Sequence, residues 1–219
     1  MTLPKTFFGL MWLALVIYGV FFSINLASSL SANAFQADLD LIINMSVLNW
    51  DGINPILIAI FYIMGIFPLV YGAFILFDPA QESVSPYPFF VASFGLGAFA
   101  LLPYFALRQS DPTPRKKGFL LSMLDSRLTA IACSTSIVGL IVWGVTQGNW
   151  GDFIAQWHTS QFVHIMSLDF CVLCLLLPVA ILKDDLARRG VKSSKYFWLI
   201  SSVPLLGFLV YWCVRPQLD

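Results

Sequence analysis

The sequence predicts an all-α integral membrane protein of six transmembrane helices, arranged as an inverted three-plus-three repeat with one interfacial amphipathic helix. Three observations carry that expectation. Of the 219 residues, 58% are hydrophobic and only 11% are charged, where a soluble domain would carry about 25% charge. Six apolar runs approach the ~20 residues that one bilayer crossing needs. Short motifs recur in the same order in the two halves of the chain. A soluble chain of this composition would need a core too large for its surface to enclose.

The six runs are residues 7–27, 53–77, 88–107, 128–147, 162–182 and 196–214. The first is too long for the apolar core of a signal peptide and lacks a small-residue cleavage site, so it reads as a retained span. Between the first two runs, Phe35, Leu39, Ile42, Ile43 and Val47 recur at helical spacing opposite Gln36, Asp38, Asp40 and Asn44. That is an amphipathic helix, resting either at the interface or on its own bundle. The third run holds Ser93 and Gly97 at the spacing that lets helices approach closely. Residues 109–124 read as a basic, Pro-containing linker between the halves 1–108 and 125–219, and Asp125 as the N-cap of the fourth span. Pro68, Pro103, Pro178 and Pro204 fall within runs, where each frees a carbonyl and can kink a helix.

Six crossings place Arg108, Arg115, Lys116, Lys117, Arg127, Lys183, Arg188, Arg189, Lys192 and Lys195 on one side, leaving Lys5 and Arg215 on the other. By the positive-inside rule, residues 109–127 and 183–195 are then cytoplasmic and both termini face the opposite compartment. Within the second of these segments, Asp184–Arg188 and Asp185–Arg189 have the spacing of solvated i,i+4 pairs, or of a docking surface.

Four cues support the duplication: Ile17–Val20 with Val142–Val145, Asn49-Trp50 with Asn149-Trp150, Pro68 with Pro178, and Leu107-Arg108 with Val214-Arg215. Three spans per copy is an odd number, so the copies should run in opposite senses.

Asp169 is the one acidic or basic residue inside a membrane-length run, and His164 precedes it by five residues. An ionisable side chain in hydrocarbon is costly enough to mark a candidate site. The functional reading makes Asp169 an acid/base or pigment-orienting anion and His164 a pigment ligand or general base. The structural reading makes each a polar clamp to a neighbouring helix. Five residues turn a helix by about 500°, so the two side chains point some 140° apart. On the frame set by Pro68 and Pro178, Asn54 and Ala59 occupy the equivalent places in the first copy. Cys171 and Cys174 have thiol-redox spacing, but mid-span they lack the helix N-terminus or cation that activates a thiol. With 12 basic and 12 acidic residues the chain has no net charge, which argues against nucleic-acid binding. No phosphate-binding glycine loop or metal-ligand cluster is evident.

The stretch Phe162–Phe170 with Leu182–Arg189, together with Gly65–Tyr71 and Phe94–Tyr104, resembles an uncharacterised group of multi-pass membrane proteins of cyanobacteria and chloroplasts. The resemblance implies a thylakoid or plasma membrane. His164 and Asp169 alone are similar to a histidine–aspartate pair in the neoxanthin-synthase-type (abscisic-acid-deficient-four-like) family. From these likenesses we expect a non-catalytic protein of a photosynthetic membrane, which binds chlorophyll or carotenoid or assists a photosynthetic complex. Two alternatives are an intramembrane enzyme acting on an isoprenoid through Asp169, and a small transporter.

Overall fold

A computed structural model describes residues 5–29, 33–78, 84–108, 118–190 and 194–216, and among these the chain is helical throughout. The helices, in order, are α1 (Lys5–Ser29), α2 (Asn33–Ser46), α3 (Pro55–Ile75), α4 (Pro86–Leu96), α5 (Ala98–Leu107), α6 (Phe119–Leu124), α7 (Arg127–Gln147), α8 (Trp150–Thr159), α9 (Gln161–Leu176), α10 (Lys183–Arg188), α11 (Ser194–Ser201) and α12 (Pro204–Val214). A π-helical turn, Leu177–Leu182, joins α9 to α10 without a break. Polar caps fix the starts of the long helices. Asn54, Ser126 and Ser160 accept the amides of Ile56, Thr129 and Val163, each satisfying a donor the helix leaves open. Ser126, not Asp125, therefore caps α7.

Among the described residues, four helices are long and apolar enough to cross a membrane: Lys5–Ile24, Pro55–Ile75, Arg127–Gln147 and Gln161–Arg188. Where the sequence expects a third and a sixth span, the apolar helices are shorter, Ala98–Leu107 and Pro204–Val214. The third is broken at Gly97, and α4 and α5 fold against each other as a hairpin. Asp78, before the hairpin, bonds Arg108, after it, at 3.0 Å, so the chain leaves from the end at which it entered. Each arm is about 16 Å long at 1.5 Å per residue, half of a bilayer core of about 30 Å. The sixth run is broken at Ser202 and Val203 in the same way. Arg189 and Arg215, on either side of the α11–α12 hairpin, both bond Asp185.

Asp78, Arg108, Asp125, Arg127, Lys183, Asp184, Asp185, Arg188, Arg189 and Arg215 thus lie at one end of the bundle, here termed the ionic end. Lys5 lies there too, because α1 runs antiparallel to α5, with Phe8 against Phe105 and Trp12 donating to the Phe99 carbonyl at 3.0 Å. At the far end Asn54 bonds the Asn149 carbonyl and Asp152, each at 2.7 Å. Helices α1 and α7 run away from the ionic end, and α3 and α9 run toward it.

Helices α1 and α7 run in one sense and α3 and α9 in the other, whereas the expected inverted repeat would oppose the members of each pair. Side-chain contacts recur between the halves. Tyr104 bonds Asp78 across 26 residues, and Tyr211 bonds Asp185 across 26. Arg108 bonds Asp78 across 30 residues, and Arg215 bonds Asp185 across 30. Arg108 also reaches into the second copy to the Ala180 carbonyl, while Arg215 reaches into the first to the equivalent Ala73 carbonyl. Gly19 of α1 sits against Ile165 of α9, and Gly144 of α7 sits against Ala59 of α3. The Ile17–Val20 and Leu107-Arg108 cues are in this register. The proline cue is not: aligning the N-caps Asn54 and Ser160, and then the closing aspartates Asp78 and Asp185, puts Pro178 opposite Gly72 or Tyr71 rather than Pro68, with one extra residue in the second copy, which has the π turn. In that register the counterparts of His164 and Asp169 are Ile58 and Ile63, not Asn54 and Ala59.

The core centres on α3, where Leu57, Ile63, Phe67, Val70, Tyr71 and Phe74 are buried. Residues 109–117 of the expected linker lie outside the described residues, and 119–124 form α6 rather than linker. The amphipathic helix exists as α2. Its Asp38 faces the bundle, whereas Phe35, Ile43 and Val47 are exposed.

Candidate functional site

Asp169 is positioned by the break in the third run. An α-helix that stops in hydrocarbon leaves amides with no water to satisfy them. Gly97 turns the chain with φ of 49° and ψ of −125°, and the amide of Ala98, at the start of α5, donates to Asp169 Oδ1 at 2.9 Å. The Phe99 amide also faces this carboxylate. A buried anion at a helix N-terminus meets both the open amides and the positive end of the helix dipole. The fit is close: a Cβ added to Gly97 would lie 1.8 Å from Asp169 Oδ2. Asp169 therefore acts as the N-cap of α5, supplied from 71 residues away. At the pseudo-equivalent break, Pro204 opens α12 and the counterpart of Asp169 is Ile63, so the carboxylate belongs to one half only.

Beyond the hairpin tip, on the side away from the ionic end, lies a cleft of about 470 Å³. Phe61, Met64, Phe94, Phe99, Phe162, Ile165 and Met166 form most of its wall, with Gly65 on α3. Tyr62, Ser93 and Asp169 are its polar side chains.

His164 is held elsewhere. Its Nδ1 faces the Trp157 carbonyl at 2.8 Å and its Nε2 faces the Tyr18 hydroxyl at 2.9 Å. A carbonyl only accepts, so Nδ1 carries the proton and in the neutral ring Nε2 accepts from Tyr18. The ring stacks on Phe22 at 3.7 Å and lies 4.2 Å from Trp157. His164 ties α1, α8 and α9 together, and a pigment metal would have to displace Tyr18 to reach it. No hydrogen bond joins His164 to Asp169, in keeping with their opposed directions on α9.

The ionic end holds what sequence reasoning missed. Asp78 pairs with Arg108 and Arg188, Asp184 with Arg108 at 2.7 Å, Asp125 with Arg189 at 3.0 Å and Arg215 at 2.6 Å, and Asp185 with Arg189 at 2.9 Å and Arg215 at 3.1 Å. Asp185–Arg189 forms as the spacing predicts. Asp184–Arg188 does not, because Arg188 turns inward to Asp78 and the Phe74 carbonyl. Within the run Asp185 and Arg188 are buried while Lys183 is exposed, and Asp78, Asp125, Arg108 and Arg215 around it are buried too. Burial lowers the Arg108 and Arg189 guanidinium pKa values, but the neighbouring aspartates more than offset this and leave both above the ordinary arginine range. The signal available in sequence was the repeated Tyr-x-x-x-Arg at the two hairpin ends. The thiols of Cys133, Cys171, Cys174 and Cys213 are all free, and among the described residues no cluster of metal ligands occurs.

No protein-family model, no curated protein and no solved structure matches this chain.

Proposed function

We propose that this is an integral protein of a photosynthetic membrane that holds a pigment-sized apolar molecule in the cleft beyond the α4–α5 tip. The observation that carries the reading is the cleft itself, walled by four phenylalanines and floored by the one carboxylate of the apolar zone. Apolar pockets with a few converging polar groups are the usual form of a small-molecule site. The occupation of both His164 nitrogens favours a carotenoid-like ligand over a metal-ligated chlorophyll. The photosynthetic setting, and any role in assisting a membrane complex, rest on the resemblances set out above.

The basic residues favour one orientation. Every Lys and Arg described lies at the ionic end, and the far-end segments 28–52 and 148–161 contain neither residue type. By the positive-inside rule the ionic end is cytoplasmic or stromal, with Lys5 and Arg215 beside it and α2 and α8 at the opposite surface.

The test is purification of the tagged chain from a pigmented membrane in mild detergent, with an absorption spectrum and identification of co-purifying proteins. Visible absorbance that follows the protein, and is lost when Gly65→Leu fills the cleft, is the expected result. A colourless protein without partners would refute the reading.

A second reading, an intramembrane isoprenoid enzyme, is favoured by one observation: the Asp169 carboxylate lines the cleft. Unchanged isoprenoid products in an Asp169→Asn strain would exclude it. A third reading, a small transporter, drew on the expected inverted repeat.

A further inference from the structure

We infer that the cleft selects molecules whose apolar body carries a hydroxyl group, and that this hydroxyl donates to Asp169. The inference rests on the cleft being a binding site and adds the chemistry that it recognises.

The argument is an inventory of donors and acceptors. Among the polar side chains of the cleft, Tyr62 donates its hydroxyl hydrogen to the Met45 carbonyl, and Ser93 donates to the Phe90 carbonyl at 2.7 Å. Both side-chain donors are committed within the chain. Asp169 is 3% exposed and lines the cleft, and its two carboxyl oxygens offer about four lone-pair sites. The Ala98 amide takes one site on Oδ1, and Phe99 faces another. Acceptor capacity remains where no side-chain donor faces the cleft. An ether, ester or ketone would bring further acceptors into that wall and find no partner, whereas a hydroxyl brings the missing hydrogen. A protonated amine would bring one too, but it must leave its hydration behind to enter a wall of phenylalanine and methionine, at far greater cost than a hydroxyl. The helix dipole of α5 already offsets part of the negative charge that a cation would seek. Phe61, Phe94, Phe99 and Phe162 offer faces to a ring or polyene body.

Retinol and retinyl methyl ether, fluorescent polyenes that differ only at the oxygen, test this on the full chain in lipid nanodiscs. Wild-type protein should bind retinol about tenfold or more tightly than the ether, the range of a hydrogen bond to a charged group. Asp169→Asn retains an oxygen for the Ala98 amide but turns donors toward the cleft, so the preference should shrink to about threefold or less, with ether binding unchanged or improved. Gly65→Leu should abolish both probes, because Gly65 lines the cleft and a Cβ there meets no heavy atom within 4 Å, leaving room for the leucine to fill it. Equal wild-type affinities that both vanish in Gly65→Leu would overturn the hydroxyl inference and leave the cleft in place. Probe binding indifferent to Gly65→Leu would overturn the cleft reading itself. An undiminished preference in Asp169→Asn would remove Asp169 from the recognition. Should Asp169→Asn not fold, the two probes on wild type and Gly65→Leu still decide.

Discussion

At the residue scale, Gly97 and Asp169 form a lock whose parts cannot be changed independently. Gly97 combines a left-handed backbone with contact against a carboxylate, so Gly97→Ala should destabilise the protein by about 2–4 kcal/mol. Gly65→Ala, in open space on α3, should be neutral or stabilising by up to about 1 kcal/mol, since alanine is the better helix former. Thermal unfolding in one detergent compares the two, and equal melting temperatures would contradict the lock. His164 gives a second residue-level test. Tyr18→Phe removes the partner of Nε2 while keeping the ring, and leaving a buried nitrogen unsatisfied costs about 1–3 kcal/mol. A loss of that size by tryptophan-fluorescence unfolding is expected; no loss would show that Nε2 has another partner.

At the element scale, the hairpins are pinned at both extremes. Tips are held by Asp169 and Trp12 in the first hairpin and by Gly207 packed on the Ile200 backbone in the second. Feet are held by the Tyr–Asp–Arg sets Tyr104–Asp78–Arg108 and Tyr211–Asp185–Arg215. Removing one member of a buried ion pair strands its partner at a cost of about 3–5 kcal/mol. Asp78→Ala and Asp185→Ala should each show a loss in that range, of similar size because the copies use the residues alike. A large difference between the two, measured as denaturation midpoints, would mean that the pseudo-symmetry does not extend to the energetics.

At the scale of the whole molecule, four crossings and six crossings place Lys5 and Arg215 differently relative to Arg127. Four put all three on one side, whereas six would separate Arg127 from the other two. A membrane-impermeant thiol reagent, applied to right-side-out vesicles of a chain lacking its native cysteines, separates the alternatives. Single cysteines at positions 2 and 217 should both be shielded along with one at 113, while one at 158 should react. Labelling of the termini but not of 113 would restore the six-crossing count.

Sequence alone determined the helical content, the apolar runs long enough to cross a membrane and the amphipathic segment α2. Each of these is written in composition, periodicity or local order, which survive without knowledge of partners. Tertiary structure alone decided that two apolar runs turn back as hairpins. Their lengths suffice for a span, and glycine is common enough in membrane helices that Gly97 carries no local stop signal. What makes a mid-membrane break tolerable is a carboxylate on another helix, and no window around Gly97 contains it. The same holds for the ionic end, where Arg188 prefers Asp78 across 110 residues to Asp184 on its own helix. Charges and chain ends that distance in sequence would have placed on opposite surfaces meet because buried guanidinium and carboxylate groups must find partners wherever the fold brings them.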